Sequence, residues 1–98
     1  MLESAFKKNF ITELNVRLAP IDLEYIHTRS HNRSFPDLLI LGPGSTWAAL
    51  EFKAAEEADH QPNQAWYINR LNHWAYATFV YPENREEVLG DLEKLFTS

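Results

Sequence analysis

FPDLLILGPGSTWAALEFK, residues 35–53, is the stretch whose reading decides the fold. Leu38-Leu39-Ile40-Leu41 is an unbroken apolar run that stops at Gly42-Pro43-Gly44-Ser45, as a buried strand entering a turn does. Thr46 to Lys53 reads as the returning strand. Side chains alternate faces along a strand, so Glu51 and Lys53 point one way and Phe52 points into the opposite layer. Where Asp37 points depends on the turn. With Pro43-Gly44-Ser45 as a three-residue loop, Gly42 faces Thr46 and Asp37 falls opposite Glu51. Directly opposed residues share a face, with Cβ atoms about 4.5–5.5 Å apart. A two-residue Pro43-Gly44 turn instead opposes Asp37 to Leu50 and sends the carboxylates to different faces.

Two close carboxylates in a half-buried sheet repel, and each raises the other's pKa unless a cation sits between them. Magnesium suits such a pair, because it takes carboxylate oxygens and keeps several waters. It would lower the pKa of bound water and stabilise charge on a phosphate. Manganese is the candidate substitute. Lys53 can hold the attacking water or offset developing negative charge, and the Phe52 carbonyl is a further candidate ligand. Chemistry of this kind predicts the odd-length loop. The bland alternatives are a strand-entry turn residue for Asp37 and an exposed ion pair for Glu51 and Lys53. Such a pair contributes at most about 1 kcal/mol. The position of Glu51 and Lys53 in an apolar strand between Leu50 and Ala54, together with Asp37, speaks against them.

Working outward, Leu2, Phe6, Phe10, Leu14 and Leu18, with Ile11, follow the spacing of a helix face. That helix is predicted to end before Pro20. Ile21 to Thr28 alternates as a half-buried strand, and Arg29 to Ser34 is polar and aperiodic, hence a loop. Beyond Lys53, Glu56 to Gln61 reads as another loop, with Pro62 suited to a first helical position. The next helix carries Gln64, Tyr67, Ile68, Leu71 and Trp74 along one face. Tyr76 to Tyr81 reads as a strand. From Glu83, Val88, Leu89, Leu92, Leu95 and Phe96 mark a final amphipathic helix. The expectation is one α/β domain over residues 1–98, of order α-β-β-β-α-β-α, with a mixed sheet flanked by helices.

Pro36-Asp37 followed by Glu51-Phe52-Lys53 resembles the signature of PD-(D/E)XK nucleases, whose shared restriction-endonuclease-like core is α-β-β-β-α-β. Within that superfamily the chain resembles the compact VRR-NUC proteins: a Pro-Asp strand, a Gly-Pro-Gly turn, a Glu-x-Lys strand, then a helix opening Pro62-Asn63-Gln64. It is also similar to the junction-resolving endonucleases of short-tailed phages, in which an acid on the first helix joins the metal site. Glu3 matches that acid. The resemblance implies a magnesium-dependent endodeoxyribonuclease with Asp37, Glu51 and Lys53 as catalytic residues, and Glu3, Asp37, Glu51 and Phe52 around the metal. It implies branched or nicked DNA as substrate, Holliday junctions included. Minimal size without targeting signals suits a phage or bacterial protein. The resemblance also implies that Gln64 lines the active site. Tyr67 is one residue short of the Gln-x-x-x-Tyr spacing of recombination exonucleases and is not carried over. Glu3 is equally explained by a first-turn acid complementing the helix dipole, and Gln64 by a bond to a backbone carbonyl at the sheet edge.

The net charge of −5 argues against nucleic acid at first sight. Residues 83–98 account for −3 of it, and three of the remaining nine acids are Glu3, Asp37 and Glu51. Bound divalent ions would turn that part of the surface positive. Lys7, Lys8, Arg29, Arg33 and Arg70 are the candidate DNA phosphate contacts, against ordinary solvated bases as the alternative. His27 and His31 read as loop histidines, and His60 and His73 as structural or exposed. No triad and no histidine-ligated zinc is indicated. Trp47, Trp66 and Trp74 are expected in the core or at a dimer contact.

The chain has no cysteine and no apolar run near the roughly 20 residues that span a bilayer. Its start lacks a signal-peptide pattern, so a cytoplasmic protein without membrane contact is expected. A chain this short buries a modest share of its surface, and two DNA strands suit a homodimer. The rivals are a restriction or repair nuclease of the same fold, a catalytically silent fold that binds DNA or protein, and an acidic interaction module.

Overall fold

The structure, a computed structural model, describes residues 3–28, 35–56 and 63–98. Seven elements follow the predicted order: α1 (Glu3–Leu18), β1 (Glu24–His27), β2 (Leu38–Leu41), β3 (Trp47–Phe52), α2 (Gln64–Leu71), β4 (Tyr76–Val80) and α3 (Arg85–Thr97). The four strands form one sheet in the order β1-β2-β3-β4. The first two pairings are antiparallel, and β3 and β4 are parallel. The parallel pair needs a long crossover, which α2 supplies.

Strand parity divides the molecule into layers. Leu38, Ile40, Ala48, Leu50, Phe52 and Val80 face α1 and α3, where they meet Phe6, Phe10, Leu14 and Leu18 and Val88, Leu89, Leu92 and Phe96. Leu39, Trp47, Ala49, Ala77 and Phe79 face α2 and pack with Ile68 and Leu71. β3 is covered on both faces, which is why its sequence is apolar almost throughout. Arg17 ties α1 to α3 through Glu86 and Glu93.

The β2–β3 turn is a single 3-10 turn over Pro43–Ser45, closed by a 2.8 Å bond from the Gly42 amide to the Thr46 carbonyl. Gly44 and Ser45 take the left-handed backbone such a tight reversal needs (φ 71° and 64°). The ladder pairs Leu38 with Leu50 and Leu41 with Trp47. This is the register of the three-residue loop. Gly42 is required by close approach, since a Cβ there would lie 2.5 Å from the Phe96 ring and 2.8 Å from the Thr46 hydroxyl. Gly42→Ala must displace a buried ring, and a loss of about 1–3 kcal/mol is expected in a denaturant titration.

Three expectations are corrected. β1 covers only Glu24–His27, because the Ile21 amide bonds the Leu18 carbonyl and closes the end of α1. The helix after the second loop ends at Leu71, so Trp74 is not on its apolar face and is 60% exposed. Asn72 causes this ending: its side-chain oxygen accepts the Ala77 amide at the start of β4 and turns the chain out of the helix. The last helix begins at Arg85 rather than Glu83, since Pro82–Asn84 is a 3-10 turn. Asn84 holds that turn by accepting the Tyr81 amide and donating to the Phe79 carbonyl. Arg29, His31, Arg33, His60 and Pro62 lie outside the described residues.

Candidate active site

The β2–β3 ladder ends at Leu38–Leu50, and one further step of its count sets Asp37, just before β2, opposite Glu51. Glu51 lies on the α2 side of the sheet, whereas Asp37 meets Lys7 of α1. Phe52 fills the other layer, edge-on to Phe6 and Phe10, so the residues flanking it, Glu51 and Lys53, are held on one face. Both are buried, at 6% exposure each, as is Gln64 at 3%. The Lys53 ammonium lies 3.8 Å from Glu51 Oε2. Gln64, the first residue of α2, donates from Nε2 to the same oxygen at 3.1 Å, so its side chain is directed at the carboxylate.

Asp37 lies at the mouth. Its Oδ1 is buried and has no hydrogen-bond partner among the described residues. Among the described residues, the Lys7 ammonium pairs with it at 3.6 Å and donates to the Asp37 carbonyl at 3.2 Å. Glu3, Ser4, Lys7, Asp37 and Phe52 line a cavity of about 520 Å³ between the start of α1 and the entry to β2. Glu3, Asp37 and Phe52 thus share this cavity, and Glu51, Lys53 and Gln64 form a second cluster that feels the charges of Asp37 and Glu3.

Electrostatics report the same crowding. Burial raises the Glu51 carboxyl from 4.5 to about 7, and the Asp37 charge adds to the rise while Lys53 opposes it. Asp37 is also raised, by burial first, with Lys7 and the Phe52 amide pulling it back and Glu3 pushing it up. A carboxyl raised on folding binds its proton more tightly in the native state. Stability in a chelator should therefore fall as pH rises from about 4.5 to 7 and level off above. Glu51→Gln should flatten that decline, as melting temperature against pH would register. A wild-type curve that is flat across this window would refute the coupling.

Of the expected phosphate contacts, Lys7 is engaged inside the site. Lys8 lines a neighbouring groove of about 310 Å³ with Ser4, Lys7, Ile11, Thr12 and His27. Arg70 is on the exposed side of α2, its guanidinium stacked 4.7 Å over the Trp74 ring. Ser4 was not anticipated as a lining residue, nor Lys7 as the partner of Asp37. The i, i+4 spacing of Glu3 and Lys7 on one helix face was the available signal.

Among the described residues no group of three or more His, Asp or Glu side chains forms a metal cluster. The donor set nonetheless fits a hard cation. Asp37 and Glu51 are close enough for the Asp37 charge to raise Glu51, Asp37 Oδ1 is buried with no hydrogen-bond partner among the described residues, and Glu3 adds negative charge beside Asp37. Magnesium keeps several waters and is held by one or two carboxylates rather than by an all-protein cage.

A mixed four-stranded sheet flanked by helices defines a small α/β fold. The chain is similar to a solved VRR_NUC domain, with a TM-score of 0.68 and 18% identity over 90% of this chain and 94% of that one. It has the VRR-NUC fold. No family model and no curated protein matches the sequence. No helix among the described residues is long and apolar enough to cross a membrane.

Proposed function

We propose that this chain is a magnesium-dependent endodeoxyribonuclease that hydrolyses phosphodiester bonds in branched or nicked DNA. The observation that carries the reading is the closeness of two buried carboxylates, Asp37 raising Glu51 by its charge, with Lys53 and Gln64 on Glu51 and Lys7 on Asp37. The likeness to a VRR_NUC domain supports a nuclease and therefore a nucleic-acid partner.

Asp37 and Glu51, with the Phe52 carbonyl and Glu3, would hold the cation. When bound, it supplies Lewis acidity toward water and the phosphate oxygens. Water attacks phosphorus, one P–O ester bond breaks, and that oxygen leaves protonated as an alcohol. Gln64 fixes the Glu51 carboxylate by donating to it. Lys53 offsets charge developing on the phosphate. Lys7 sits where its ammonium can turn from Asp37 to an incoming phosphate, with Lys8, Arg29, Arg33 and Arg70 as outer contacts. Manganese would replace magnesium. We place the protein in the cytoplasm of a bacterial cell, native or phage-infected, acting as a homodimer with one site per strand.

The test is cleavage of a labelled four-way junction and a matched linear duplex by the full chain, in magnesium or EDTA. The expected result is cutting of the junction in magnesium only. Equal cutting of both DNAs keeps the nuclease and removes branch selectivity. Folded protein that cuts neither with magnesium nor manganese overturns the proposal.

A further inference from the structure

The aromatic side chains beside the carboxylates have no part in the hydrolytic scheme. Phe35, two residues before Asp37, meets Tyr67 edge-on with ring centroids 5.7 Å apart, and Tyr67 meets Trp66 edge-on at 5.0 Å. Asn63, Trp66 and Tyr67 line a cavity of about 280 Å³. Trp66 is 58% exposed, so of the two placements expected for it, core or dimer contact, the core is excluded. The two segments that build this ledge are the ones that carry the site. Phe35 leads into Asp37, and Tyr67 lies one helical turn from Gln64, whose amide reaches Glu51.

α2 itself carries no acid, and its one base, Arg70, is stacked on Trp74. A paired base in duplex DNA has both faces covered by its neighbours, but an unpaired base presents a free π-face to an aromatic ring.

We propose that Phe35, Trp66 and Tyr67 form a stacking subsite for one unpaired nucleobase next to the scissile phosphate. The preferred substrates are then DNAs with an unpaired nucleotide at the cleavage point, rather than continuous duplex. This rests on the nuclease reading above and narrows its substrate class.

The test is binding by fluorescence anisotropy in EDTA, which blocks cleavage, of a labelled duplex with a short thymidine flap. The comparison probe is the same duplex with an abasic flap. Wild type should bind the thymidine flap about tenfold more tightly, within the range that one base–aromatic stack contributes. Trp66→Ala should erase the difference and Trp66→Phe should keep most of it. Equal binding of the two probes by wild type overturns the proposal, as does undiminished discrimination in Trp66→Ala. Loss of both probes by Trp66→Ala, with a fall in mass by light scattering, would make the ledge a contact between copies and also overturns it. A parallel magnesium cleavage assay separates the two readings. Cutting without base discrimination removes the ledge and leaves the nuclease, whereas discrimination through Trp66 without cutting leaves the ledge and removes the hydrolytic role.

Discussion

Asp37→Asn is expected to lower metal-dependent cleavage by at least about a thousandfold, some 4 kcal/mol of transition-state stabilisation, while the protein melts a few degrees higher. The two effects have one origin. Asp37 Oδ1 is buried with no hydrogen-bond partner among the described residues and only the Lys7 ammonium 3.6 Å away, its pKa is raised by burial, and Glu51 is raised in part by its charge. A negative charge kept there costs the fold, and the amide removes it. Lys7 loses an ion partner, but it also donates to the Asp37 carbonyl, which the substitution leaves in place. Removing the charge also removes the hard oxygen proposed as a ligand, so any rise in melting temperature that magnesium produces in wild type should be lost in the variant. Melting in EDTA and in magnesium, alongside cleavage rates, checks both halves. A fall in both stability and activity would mark Asp37 as a structural residue and count against the metal site.

The central hairpin was legible because it obeys rules that act at short range. Parity places Glu51 and Lys53 opposite Phe52, and the length of the Pro43–Ser45 turn sets Asp37 across from Glu51. α1 was legible from one stripe of large side chains, Phe6, Phe10, Leu14 and Leu18, all of them buried. The misplaced features depend on particular side-chain bonds to distant backbone. Asn72 reaches five residues forward to the Ala77 amide and takes Trp74 off the helix. The end of α1 captures Ile21, which alternation alone assigns to a strand. Within the site, parity could place Glu51 and Lys53. It could not reveal that Lys7 comes across from α1 to Asp37, because that meeting depends on how the helix lies over the sheet. The exposure of Trp66 was hidden for the opposite reason. A large aromatic residue is expected inside, and an exposed one is informative only once its surroundings are known.

Phe52→Ala carries the largest expected loss of stability, about 3–5 kcal/mol for a buried aromatic truncated in a close-packed core. Phe52 has no exposed surface, and its ring is edge-on to Phe6 at 5.8 Å and to Phe10 at 5.3 Å. It thereby joins β3 to two successive turns of α1. In a domain of this size each kcal/mol moves the melting temperature by about 4–8 °C, so a fall of well over 10 °C is expected by calorimetry. Phe52→Leu, which keeps most of the volume, should lose far less. The same ring sets the site, because driving Phe52 into the α1 layer is what holds Glu51 and Lys53 on the α2 face, while α1 brings Glu3 and Lys7 to Asp37. On the proposed metal site, Phe52→Ala should therefore weaken the rise in melting temperature expected from magnesium even where the protein remains folded, although its side chain ligates nothing. A truncation that shifts the melting point by only a degree or two would show that α1 is not anchored through Phe52. The placement of Glu3 and Lys7 beside Asp37 would then need another cause.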